Sequence, residues 1–248
     1  MRVNRKLNYS KMKKIIISIT ILLVAISVQA QNLNSFFNEA DAFFKANVSN
    51  GRVAYDNIHK DPSQLKEVLK IAQGISISKD DAKNYQAFWI NAYNILVIKG
   101  LIDEYPTKSP LDHAGFFDKT THNIGGKNIT LNDIEHKLLR GQFNDARFHF
   151  VLVCGAVGCP PLINRAYLPN TLDAQLEAQT KKAINGDFIR VNEKKNRVEV
   201  SQIMEWYKGD FKMDGMDEID FINKFRDEKL EGKWKLSYFP YNWTINKQ

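Results

Sequence analysis

Cysteine is scarce in this sequence: two of 248 residues, Cys154 and Cys159, with Gly-Ala-Val-Gly between them. There is no C-x-x-C pair and no H-E-x-x-H helix, and His59, His113, His122, His136 and His149 have no ligand-like spacing among themselves. A dedicated metal site is therefore not expected, and the usual dithiol-redox spacing is missing. The P-loop, G-x-G-x-x-G and G-x-S-x-G patterns are absent too. That removes the usual signals of NTPases, dinucleotide enzymes and serine hydrolases, and no cofactor is implied. No repeat, low-complexity tract or Gly/Pro-rich linker divides the chain.

The only long apolar run is at the N-terminus. A basic lead, MRVNRKLNYSKMKK, precedes IIISITILLVAISV and then QAQ, with Val28 and Ala30 at the −3 and −1 positions of a small-residue exit. The run is shorter than the ~20 residues a membrane-spanning helix needs. The pattern predicts a signal peptide over 1–30, cleaved after Ala30, and hence a periplasmic or secreted protein with no transmembrane segment after cleavage. No cysteine lies near that site, so a lipoprotein is not expected. Charge follows the same division. The chain has 35 basic and 28 acidic residues, and removing Arg2, Arg5, Lys6, Lys11, Lys13 and Lys14 leaves 29 against 28. The basic excess belongs to the leader, and nucleic acid is not an expected partner.

Residues 31–248 suit one α+β domain with a buried central helix, a mixed or antiparallel sheet and flanking helices, 31–74 forming an N-terminal helical segment of it. Phe36, Phe37, Ala40, Phe43 and Phe44 fall at helical spacing, and Asp61-Pro62 opens a helix running to 73. The strongest helix, 79–103, is apolar nearly all round from Phe88 to Ile98, as a buried helix is. THNIGGKNIT reads as a hairpin about Gly125-Gly126. Asn132 and Glu135 sit in the relation of a capping box at the next helix start. RFHFVLVC (147–154) is short and almost continuously apolar, the pattern of a buried central strand. Helices over 171–185, 202–209 and 217–228, a hairpin within FIRVNEKKNRVEV and strands in the aromatic tail complete the expectation.

As a strand, 148–154 puts His149 and Cys154 on opposite faces, so a base for Cys154 has to come from elsewhere. Cys159 lies in the loop beyond, where Gly155 and Gly158 permit unusual backbone angles and a close approach to a ligand. Three readings of the cysteines stay open: a disulfide, inert buried thiols, or a nucleophile activated by a base. Glu135-His136 is the other candidate pair. Neighbours on a helix diverge by about 100°, so a capping Glu135 leaves His136 free to act. Asn91 and Asn94, inside an apolar helix, need partners: backbone groups or a ligand. Arg140, Asp145 and Arg147 are candidates for an ion-pair network.

FWINAYNILVIKG, IGGKNITLNDIEHKLLR and DARFHFVLVCGAVGCPPL, with IMEWYKGDF further on, resemble the family called DUF547, a domain of unknown function, over about 75–240 within the 75–248 segment. The resemblance maps Phe88, Asn91, Tyr93 and Asn94, then Glu135, His136 and Arg140, then His149, Cys154, Cys159 and Pro160 onto the family pattern. Its members also occur in intracellular plant proteins, where disulfides are disfavoured, which adds weight to a working thiol. The order His before Cys is that of permuted papain-like hydrolases, an analogy of arrangement only.

Two functions compete. The first is a cysteine-dependent hydrolase or transferase acting on an amide or ester bond, with Cys159 or Cys154 as nucleophile, His136 as base, Glu135 orienting it, loop N–H groups of Gly155–Gly158 as oxyanion donors, and Asn91, Asn94, His149 and Arg140 at the substrate. The second is a non-catalytic binding module, its pocket lined by Asn91, Asn94, Trp234 and Trp243, for a small molecule, peptide, glycan or envelope component. A thiol-redox partner is a third, disfavoured by the cysteine spacing.

Overall fold

The structure, a computed structural model, describes residues 31–248; the expected signal peptide lies outside them. Helix α1 (31–47) buries Phe36, Phe37, Phe43 and Phe44. A two-residue hairpin follows, β1 (Val48–Ser49) with β2 (Arg52–Val53), turned by Asn50 and Gly51 at φ 49° and 77°. Asn-Gly is the pair such a turn favours, because both positions need left-handed backbone. Helix α2 (Tyr55–Lys60) leads to α3 (Ser63–Gln73), where the Asp61 carboxylate accepts from the Ser63 N–H at 3.1 Å.

Helix α4 (Ala82–Asp103) is the buried centre, with Ala87 through Ile98 all inaccessible. Asp81 caps it, taking the Asn84 side-chain amide at 2.7 Å. Gly100 lets the Phe116 ring against the helix, since a Cβ there would stand 2.8 Å from a ring carbon. The predicted hairpin forms as β3 (Thr121–Ile124) and β4 (Lys127–Thr130), with Gly125 and Gly126 both at positive φ. A three-stranded mixed sheet holds the C-terminal half: β5 (Ile189–Asn192) lies antiparallel to β6 (Arg197–Ser201), and β7 (Lys235–Phe239) lies parallel to β6. The fold is α+β. One hydrophobic cluster surrounds α4, and a second packs the sheet against Phe150, Phe211, Phe221 and Ile222.

Three expectations are corrected. The 147–154 segment is buried but is not a strand: Ala146–Phe150 is a 3-10 turn, started by the Asp145 carboxylate accepting from the Arg147 N–H, and no ladder follows. An asparagine takes the neighbouring strand's place. Asn94 Nδ2 donates to the Val151 carbonyl (2.9 Å) and its Oδ1 accepts from the Val153 N–H (2.8 Å). One turn away, Asn91 does the same for both backbone groups of Tyr167. A primary amide offers the donor and acceptor of a peptide group, so each satisfies buried backbone without a sheet.

Second, the cap before Glu135 is Thr130, whose hydroxyl accepts from the Asp133 N–H at 3.1 Å; Asn132 and Glu135 form no capping box. The helix then widens into a π-helical stretch, Ile134–Arg140. Third, the tail contributes one strand. Beyond it, residues 241–248 run irregularly back across the fold, Ile245 bridging to Ala156 and Asn246 accepting from the buried Tyr55 hydroxyl.

Candidate functional site: an aromatic cleft between the two cores

A cleft of about 400 Å³ lies where the two hydrophobic clusters meet. Helix α4 supplies Tyr93, the π-helical stretch Glu135, the turn after it His149, and the loop beyond Cys154 and Cys159. The C-terminal half closes it with Trp206 and Tyr207 from the short helix Gln202–Trp206 and its cap, and with Tyr241 and Trp243 from the tail. Glu135 is 8% exposed and accepts from the Tyr93 hydroxyl at 3.3 Å. A π-turn shifts the phase of the side chains that follow it, and such turns recur at functional sites.

His149, nearly inaccessible, shares Asp210 with Arg140: its Nε2 stands 2.8 Å and the Arg140 Nε 2.7 Å from the same Oδ2. The imidazole stacks on Tyr207 at 4.1 Å, and the Arg140 guanidinium lies 4.4 Å from that ring's centre. Burial pushes the His149 pKa down, against the pull of Asp210, so the ring is neutral at pH 7. Although burial acts to raise it, the Asp210 carboxyl is held far below the usual carboxylate range by hydrogen bonds from His149 and Arg140. With an N–H directed at a carboxylate, the other ring nitrogen carries the basic lone pair. Burial raises the pKa of Tyr93, Tyr207 and Tyr241, with Glu135 adding to it, so all three remain protonated hydroxyls.

The structure pairs Cys154 with Cys159 as a disulfide, Cα atoms 6.5 Å apart. The Tyr241 hydroxyl lies 2.8 Å from each sulfur. Gly155 (φ 82°) brings this loop onto α4, where a Cβ would stand 2.5 Å from Leu101; Gly158 admits the Tyr241 ring, which a Cβ would meet at 2.8 Å. Three of the loop's donors are committed to the protein itself: Val157 to the Thr244 carbonyl (2.7 Å), Gly158 to the Asn242 carbonyl (2.8 Å) and Cys159 to the Ala156 carbonyl (3.2 Å).

Of the residues singled out in the sequence, the structure brings Tyr93, Asn132, Glu135, His149, Cys154, Cys159 and Trp243 to one cleft. His136 is not part of its lining; its Nδ1 meets the Arg140 guanidinium. Gly155 and Gly158 support the cleft from behind, and Asn91 and Asn94 are engaged with backbone away from it. Trp234 packs in the second cluster, its indole N–H on the Glu231 carbonyl. Arg147 pairs with Asp145 and Asp173, while Arg140 joins Asp210. Sequence reasoning missed Asp210, Tyr207 and Tyr241 as site residues, although the first two fall within the IMEWYKGDF motif. Among the described residues no group of three or more His, Cys, Asp or Glu is arranged to hold a metal, and no helix is long and apolar enough to cross a membrane.

Fold and cleft together define an α+β protein with a disulfide-backed aromatic pocket. The family model described as "Protein of unknown function, DUF547" matches residues 77–184, so the chain carries a DUF547 domain there. Comparison with curated proteins and with solved structures gives no match. The family match ends before Trp206, Tyr207, Asp210, Tyr241 and Trp243.

Proposed function

We propose that this is an exported ligand-binding protein whose aromatic cleft holds a small molecule, a glycan or peptide fragment, or an envelope component. One observation carries the reading: the two cysteines are joined to each other in the cleft wall, so neither sulfur is a free thiolate. The N–H groups of Val157, Gly158 and Cys159, each bonded within the protein, support it, since an oxyanion site needs donors aimed at open space. The wall of Trp206, Tyr241 and Trp243 supplies the rigid apolar surface that ligand pockets use. Export rests on the leader pattern of residues 1–30, and a mature mass beginning at Gln31 is its direct check.

A second reading, a thiol hydrolase or transferase active after reduction, has its own support. His149, oriented by Asp210, shares the cleft with both sulfurs, in the roles of base and orienting carboxylate. Iodoacetamide labelling of the purified protein across pH 5 to 9, followed by mass measurement, separates the two. A mass two hydrogens light and no labelling without reductant is the expected result. A thiol that labels in the untreated protein, with an apparent pKa well below ~8.5, overturns the binding reading in favour of catalysis.

A further inference from the structure

Resting on the binding reading, we infer that the cleft is selective for ligands bearing an ammonium group, held between the Glu135 carboxylate and the aromatic wall. Three features converge. First, the lining contains two carboxylates, Glu135 and Asp118, and neither lysine nor arginine. Such a surface repels phosphates and carboxylates.

Second, Glu135 is more than nine-tenths buried, yet among the described residues it forms no ion pair. Its partners are phenol hydroxyls, Tyr93 at 3.3 Å and Tyr207 beside it, and Arg140 acts on it only as a nearby charge. Arg140, on the same helical stretch, is turned to Asp210, and neutral His149 adds no positive charge. A buried carboxylate gains most from a cation that approaches it out of water. The open side of Glu135 is the cleft.

Third, the wall is a cluster of electron-rich rings: Tyr241 lies 4.6 Å from Trp243 and 5.1 Å from Trp206 between centroids, and Trp206 is 47% exposed. Indole and phenol faces attract cations through their quadrupole, and such rings beside a carboxylate form the usual surroundings of bound ammonium groups. A primary amine would also donate hydrogen bonds to Glu135; a quaternary one would use the rings and the charge alone.

The test is calorimetric titration of the mature, oxidised protein with four defined probes: choline, glucosamine, glucose and N-acetylglucosamine. Glucosamine differs from the last two by its cationic nitrogen, and choline shows whether N–H donation is required. The expected result is binding of glucosamine or choline at least about tenfold tighter than glucose and N-acetylglucosamine. That preference is lost in E135Q, whose amide oxygen still accepts from Tyr93. Trp206→Ala, at an exposed position that tolerates truncation, weakens the cationic probes several-fold. Equal binding of glucosamine and glucose, or a preference unchanged in E135Q, overturns the inference while leaving the cleft reading intact. Silence toward all four probes also overturns it. The labelling experiment decides separately whether the binding reading itself falls.

Discussion

Replacing Asn94 with leucine, close in size but without the amide, is the sharpest test of how the fold positions this site. The wild-type amide serves two backbone groups of a segment that has no strand partner, the Val151 carbonyl and the Val153 N–H, at 2.9 and 2.8 Å. Asn94 is 1% exposed and Val151 and Val153 are 0% and 3%, so water cannot take over. Two orphaned buried groups cost about 1–3 kcal/mol each, and the gain from a buried isobutyl group offsets part of this, which leaves a net loss of about 3 kcal/mol. Urea titration followed by circular dichroism reads this as a lower midpoint at unchanged slope. Asn94→Asp makes a second arm: it keeps the acceptor for Val153 but sets a carboxylate against the Val151 carbonyl, and it should be at least as damaging at pH 7. A loss below about 1 kcal/mol for the leucine variant would refute the claim that this side chain stands in for a strand.

Three further outcomes are expected. Replacing both Cys154 and Cys159 with serine opens a loop whose closure restricts the unfolded chain, and should lower stability by about 2 kcal/mol in urea; an unchanged midpoint contradicts the pairing. Asp210→Ala leaves the part-buried Arg140 and the His149 ring without their shared partner, and should cost about 2–4 kcal/mol in a thermal melt, with Asp210→Asn losing less because its amide oxygen still accepts. His122 is 5% exposed, its Nε2 has no partner, and burial pushes its pKa down to about 4. Below the ordinary value of 6.5 the unfolded chain binds a proton the folded one refuses, so stability falls from pH 6.5 to 4 by at most about 3 kcal/mol and then levels. Urea midpoints at pH 7 and pH 5 should therefore converge in His122→Leu, less the share that His149 contributes by the same sign.

Local chemistry made much of the fold legible. Asp81 ahead of an apolar run and Gly125-Gly126 between two alternating segments each carry their own structural instruction, and each element forms where expected. Asn50-Gly51 carries the same instruction, but the two-residue strands that flank it have too few alternating positions to register as strands. The 147–154 segment failed for a different reason. A continuous apolar run reports burial, not conformation, and what decided conformation was Asn94, more than fifty residues away in sequence. Its role is invisible to any local pattern.

The candidate site divides along the same line. Glu135, His149, Cys154 and Cys159 lie inside the family match, in short motifs dense enough to draw notice, and the structure brings these four together. Their partners lie outside it: Asp210 fixes His149, Tyr241 covers the disulfide, and Trp206 and Trp243 form the outer wall. Trp206 and Asp210 belong to the IMEWYKGDF motif on the short helices Gln202–Trp206 and Lys208–Phe211, whereas Tyr241 and Trp243 reach the site only where the tail returns across the Cys154–Cys159 loop. The matched domain thus supplies the charged floor, and the C-terminal segment supplies the surface a ligand would meet first. On this division, exchanging residues 202–243 for the segment that follows the DUF547 domain in a second protein should change which ligand binds while leaving the disulfide and the Tyr93–Glu135 contact in place.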